Sequence, residues 1–259
     1  MARAFWKGGI SFGMVIIPVK MSLATEKKVP AFHLLHKKCL TRPKQMLYCA
    51  KDDEYFGIQE TIRGFEYTKD QYVMLDERDL EKIPFSTSHA INIINFVEEA
   101  EIPQVYYSES HYLEPEGLGG KPFNLLRETL IKTKLLGIAR VSFQKREHLA
   151  CLRPFHKILL LQTMHYRDEI LPEPDVAETK FTAQEMEMAT ALVNVMAKPF
   201  KPEDYKDEYE QGLNKVIEAK MRGEKITVPK APKLEVKGDI MAALRESIVA
   251  AKKEPVGVR

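Results

Sequence analysis

Apolar and polar residues alternate over much of the first 165 positions of this chain, and a period of two predicts half-buried strands. After an apolar run broken by Gly13 and Pro18, Val19, Met21 and Leu23 alternate with Lys20, Ser22 and Ala24, which predicts a strand over residues 15–24. Similar runs predict strands over residues 64–75, 90–97, 137–144, 148–153 and 157–165. One helix interrupts them, with Pro122 at its first position and Phe123, Leu126 and Leu130 along one face. Short strands at close spacing around a single helix suggest a barrel.

The pattern changes at Leu171-Pro172-Glu173-Pro174, beyond which the period of two disappears. Thr182 and Glu185 form a capping-box signature for a helix of about 15 residues, with Met186, Ala189, Val193 and Met196 as its apolar stripe. Lys198-Pro199 and Lys201-Pro202 break the chain before a second helix that aligns Tyr205, Tyr209, Leu213, Val216 and Met221. Residues 222–238 contain two prolines and no period, so they read as an extended linker. Asp239 is placed to cap a last helix, on which Ile240, Leu244 and Ile248 recur every fourth residue. A helix this short is marginal in water and needs a groove, either on another protein or on its own domain. The fold class expected is mixed α+β, mainly β. A barrel core over residues 1–170 is followed by a helical arm over 171–222, then a linker and C-terminal helix over 223–259.

A net charge of +2 conceals strong local imbalance. Residues 1–51 carry +9, residues 52–120 carry −12, residues 121–167 carry +8 and residues 168–259 carry −3. Clustered Lys and Arg bind phosphate backbones by releasing condensed counterions, so the two basic segments together would make a positive lining. Solvated faces that happen to differ in sign are the other reading. Three cysteines without framework spacing suit a reducing compartment, and the apolar stretch Ile10–Val19 is too short to span a membrane and lacks a signal-peptide cleavage site. A cytoplasmic location follows.

The run Trp6-Lys7-Gly8-Gly9-Ile10-Ser11-Phe12-Gly13-Met14-Val15-Ile16-Ile17-Pro18-Val19-Lys20 resembles the opening of the prokaryotic Ku family. The resemblance continues through Phe32-His33-Leu34-Leu35-His36-Lys37-Lys38-Cys39, Gly64-Phe65-Glu66-Tyr67, Tyr112-Leu113-Glu114-Pro115, Glu147-His148-Leu149-Ala150 and Leu152-Arg153-Pro154. Ku proteins are ring-shaped dimers that thread onto double-stranded DNA ends and recruit a ligase. The resemblance therefore implies a homodimer, double-stranded DNA ends and an ATP-dependent DNA ligase with end-processing domains as partners, and a nucleoid-associated place in the cytoplasm. It implies that an insertion over about residues 25–63 bridges the DNA, with Lys37, Lys38, Arg42 and Lys44 among its contacts. Lys145 and Arg146 match a basic hairpin tip of the Ku barrel, with Arg140, Arg153, Lys157 and Arg167 expected on the strands around it, and Lys7 and Lys20 come next. The helical arm would embrace the partner subunit, and Ile240, Leu244 and Ile248 would form the ligase-binding edge.

His33, His36, Cys39 and Cys49 are chemically suited to tetrahedral zinc, but many bacterial Ku sequences carry a further Cys where this chain has Asp52, so no metal is assigned. Cys151, within a predicted strand, reads as an inert core thiol. No phosphate loop, GxGxxG, HExxH or GxSxG pattern is present, and Gly117-Leu118-Gly119-Gly120-Lys121 lacks phosphate-loop spacing. A non-catalytic DNA-binding protein without cofactor is expected. Two alternatives are a metal-dependent nuclease or repair enzyme, built on carboxylates such as Asp52-Asp53 or Glu98-Glu99, and a barrel that binds single-stranded nucleic acid. Against the latter, Tyr106, Tyr107 and Tyr112 fall in the acidic segment.

Overall fold

The first two strands, β1 (Trp6–Phe12) and β2 (Val15–Leu23), form a hairpin in which Phe12 pairs with Val15. Its two-residue turn needs a positive φ at Gly13, which stands at 58°. Gly8 serves a different purpose. A Cβ there would lie 2.4 Å from the Trp6 ring and 2.2 Å from the His89 carbonyl oxygen, so glycine lets the indole fold over its own strand. Trp6 Nε1 then donates to the Ser142 carbonyl at 3.2 Å, fastening the start of the chain to a strand far along it.

The computed structural model describes residues 3–26, 28, 30–76, 78–79, 82, 89–144, 146–224 and 240–253. After the hairpin come β3 (Leu47–Cys49) and β4 (Glu54–Phe56), a two-stranded ribbon, and β5 (Arg63–Thr68) and β6 (Gln71–Leu75), a second one. The chain then returns as β7 (Ala90–Glu98), β8 (Tyr107–Pro115), helix α1 (Gly120–Thr133), β9 (Leu135–Phe143), β10 (Arg146–Phe155) and β11 (Ile158–Met164). A closed barrel runs in the order β1-β2-β8-β11-β10-β9-β7, sealed by parallel pairing of β7 with β1 at Gly9–Ala90, Ile10–Ile91 and Ser11–Asn92. Closure removes the free edges that an open sheet would expose.

Inside the barrel, alternate residues meet in one hydrophobic cluster that includes Ile10, Ile17, Val19, Met21, Ile91, Leu113, Leu152 and Leu161. Phe123, Leu126 and Leu130 of α1 belong to the same cluster, and Phe123 is 0% exposed, so the helix is anchored to the barrel along the face read from the sequence. The helix begins at Gly120, two residues before Pro122. The single strand expected over 64–75 is instead the β5–β6 hairpin, turned at Asp70, whose φ is 61° and whose N–H donates to the Glu66 carboxylate at 2.9 Å.

Residues Met1–Pro172 form one compact unit and Glu173–Arg259 a second. In the second, Thr182 Oγ1 accepts the Glu185 N–H at 3.3 Å while the Glu185 carboxylate accepts the Thr182 N–H at 2.6 Å, and helix α2 (Ala183–Met196) follows this capping box. Helix α3 (Glu208–Met221) is capped by Asp207, which accepts the Glu210 N–H at 2.9 Å, so Tyr205 precedes the helix rather than belonging to it. Helix α4 (Ile240–Lys253) packs against α2. The half-buried residues of α2 are Met188, Ala189 and Leu192, together with Glu185. Of the stripe expected from the sequence only Ala189 is among them, and Met186, Val193 and Met196 stay exposed on the neighbouring face. Most of the proposed linker and the Asp239 cap lie outside the described residues.

Candidate nucleic-acid interface

The described part of the insertion between β2 and β7 leaves the barrel as mostly exposed loop and ribbon. Lys37, Lys38, Arg42 and Lys44 sit in the loop before β3, all exposed, with no carboxylate in ion-pair range among the described residues. The loop is held by its own backbone. The His36 N–H donates to the Thr41 carbonyl at 2.9 Å and the Leu40 N–H to the His36 carbonyl at 2.7 Å. Cys39 lies at the bend, its sulfur 2.9 Å from Thr41 Oγ1 and 3.2 Å from His36 Nδ1. The Thr41 hydroxyl and N–H, assisted by His36, lower the thiol to a pKa of about 7. Cys49 instead donates to Asp52 at 3.1 Å. Among the described residues no three His, Cys, Asp or Glu side chains converge as a metal site.

The barrel cations are arranged differently, because most of them meet an acid. Lys7 of β1 lies 2.5 Å from Glu116, and Lys20 of β2 lies 2.9 Å from Glu114 of β8. Arg140 of β9 is 3.9 Å from Glu147, Arg146 of β10 is 2.8 Å from Glu169, and Arg153 of β10 pairs with Glu99. Glu169 also accepts the Tyr166 N–H at 2.8 Å, and that bond, followed by Arg146, holds its carboxyl below the usual range. Arg153 lies over the Tyr107 ring at 5.7 Å.

Two expected strand positions prove to be turns. Lys157 occupies the tight turn between β10 and β11, and Arg167 opens a 3-10 turn after β11. Both are exposed, with no carboxylate partner among the described residues. Arg146 and Glu147 belong to β10 itself, and Lys145 lies outside the described residues. Arg146 and Lys157 therefore stand at opposite ends of a ten-residue strand, about 30 Å apart at about 3.3 Å per residue, rather than around one tip. What sequence reading missed is the set of carboxylates Glu99, Glu114, Glu116 and Glu169. The available signal was the parity of residues 107–115, where Leu113 points inward and Glu114 outward.

Beside Arg146 the barrel holds two imidazoles. His111 of β8 and His148 of β10 flank Phe143, with ring centroids 5.4 and 4.3 Å from it. Burial pushes both pKa values down, and the neighbouring Arg146 adds to the effect at His148. His111 Nδ1 and His148 Nε2 are buried without a hydrogen-bond partner among the described residues.

The α2–α4 packing places Leu244 and Ile248 half-buried within the second unit, while Ile240 remains exposed. No helix among the described residues is long and apolar enough to cross a membrane.

The chain is 37% identical over 264 residues to the non-homologous end joining protein Ku of Solibacter usitatus, spanning 100% of this chain and 99% of that one. It is 37% identical over 254 residues to the protein of the same name from Archaeoglobus fulgidus, covering 96% of this chain and 100% of the other. With that of Desulfitobacterium hafniense the identity is 38% over 245 residues, 94% and 86% of the two chains. Residues 11–188 match the family described as the Ku70/Ku80 beta-barrel domain, a span that takes in the end of β1 and every later barrel strand. Barrel, sequence and length agree, and the chain belongs to the Ku family.

Proposed function

We propose that this chain acts in non-homologous end joining as a homodimeric ring, threaded over double-stranded DNA ends without reading their sequence, and that it recruits an ATP-dependent DNA ligase. It acts by binding, with no chemical step of its own. The observation that carries this reading is the insertion between Leu23 and Ala90, whose described residues extend from a closed barrel and present Lys37, Lys38, Arg42 and Lys44 to solvent without acid partners among the described residues. Phosphate contacts of this kind fix position on a duplex and carry no base information. Two elements support a second copy: the β5–β6 ribbon, with Tyr72 and Met74 exposed on one side and Phe65 on the other, and α2, with Met186, Val193 and Met196 exposed.

The test compares linear with covalently closed circular duplex of one sequence in a gel-shift titration. A ring loads over an end, so the linear form is expected to bind well and the circle poorly. Equal affinity for both refutes the ring and leaves a general basic DNA binder. Light scattering at micromolar concentration is expected to report a dimer, and a DNA-binding monomer refutes the homodimer.

A further inference from the structure

Lys7 and Lys20 face each other as Cα partners in the β1–β2 ladder, and Lys20 faces Glu114 in the β2–β8 ladder. Three neighbouring strands therefore bring Lys7, Lys20 and Glu114 into one row on the outside of the barrel, and Glu116, just past the end of β8, reaches Lys7. Backbone register holds these pairs together, so they do not depend on long side chains meeting by chance. Their side chains are 41–66% exposed, and an ion pair in that setting is worth about fivefold or less in an equilibrium constant. An arriving phosphate competes with the carboxylate on nearly equal terms. The loop cations Lys37, Lys38, Arg42 and Lys44 have no such competitor among the described residues.

We propose that Glu114 and Glu116 make Lys7 and Lys20 a displaceable grip on the duplex, each ammonium exchanging a carboxylate for a phosphate oxygen. The inference rests on the DNA-binding reading above and names residues that tune it. Exchanging one anion for another adds little net affinity, so the barrel follows the backbone loosely while the bare cations of the insertion supply most of the counterion release. Loose, exchangeable contacts suit a protein that moves along DNA without regard to sequence.

The experiment measures affinity for one short linear duplex by fluorescence anisotropy, from about 50 to about 200 mM salt. It compares the full chain, Glu114→Gln/Glu116→Gln, and the same variant carrying Lys7→Ala/Lys20→Ala. Glutamine keeps the shape of both acids at half-buried positions. Unmasking is expected to tighten binding by about 2- to 20-fold per subunit at low salt and to steepen the log–log slope by up to about 1.8 per subunit. Removing the two lysines is expected to abolish the gain. Unchanged or weaker binding of the glutamine variant overturns the inference. So does a gain that survives loss of both lysines, because it would reflect overall charge alone. A full chain that fails to bind duplex overturns the DNA reading and this inference with it, whereas a binding parent matched by its variants overturns the inference alone.

Discussion

Replacing Lys37, Lys38, Arg42 and Lys44 together by Ala tests whether the insertion is the main phosphate-binding element. All four are exposed and free of ion pairs among the described residues, and backbone bonds from His36 and Leu40 hold the loop without them. Substitution is therefore expected to leave stability within about 0.5 kcal/mol. Each phosphate contact contributes about 0.9 to the slope of log affinity against log salt, so losing all four lowers the slope by about 3.6 for each subunit on the duplex. Between about 50 and about 200 mM salt that slope is a factor of about 150 per subunit, by which the parent should weaken more than the variant. Anisotropy titrations at several salt concentrations measure it directly, with a thermal melt confirming the fold. A slope drop of about 1.8 per subunit would assign contact to two of the four residues. An unchanged slope with an intact fold refutes the assignment of the loop to DNA.

Phe123→Ala removes a side chain buried between α1 and the barrel and is expected to cost about 3–5 kcal/mol in urea unfolding; a loss below about 1 kcal/mol would mean that the helix is not anchored there. Because burial lowers the pKa of His111 and His148, the unfolded chain takes up protons below about 6.5 where the folded barrel does not. Their contribution is therefore complete above that pH and lost as pH falls through it toward the lower folded values. The melting temperature is expected to drop between about pH 7 and about pH 5, less steeply in His148→Gln, and an identical pH profile in the variant would refute this. Deleting residues 235–259 is expected to leave barrel unfolding and DNA binding in place, since the barrel is a separate unit, and to abolish stimulation of a cognate ATP-dependent DNA ligase. Ligase stimulation that survives deletion would move recruitment to the barrel or to α2 and α3.

Strands β9, β10 and β11 were legible in the sequence as short runs rich in Val, Ile, Leu and Ala, and their inward residues became part of the core. β8 was not. Its inward positions include His111, 1% exposed, and its outward ones are Ser108, Ser110, Tyr112 and Glu114, so no apolar–polar alternation marks the strand. The 64–75 strand was misread because Lys69 and Asp70 interrupt no apolar period, although they make a turn. Candidate cations could be read by residue type, but their partners could not. Lys7 and Glu116 stand 109 positions apart and meet only because β2 and β8 are neighbours in the barrel. For the same reason, the parallel seam between β1 and β7 left no trace in any local pattern.

That seam bears on how the chain is assembled and how it can vary. The N-terminal strand can complete its pairing only after everything from Ala24 to His89 has been made, so its seam with β7 is non-local and waits for Asn92, and the full ring of strands closes only once β11 has been made through Met164. Once closed, the barrel holds both ends of the intervening segment, which becomes a long tethered loop. The entropy of such a loop rises only with the logarithm of its length, by about 0.6 kcal/mol for each doubling. Residues could therefore be added to or removed from the cation-bearing insertion at little cost to the barrel, leaving its reach free to change while the scaffold that anchors it stays the same.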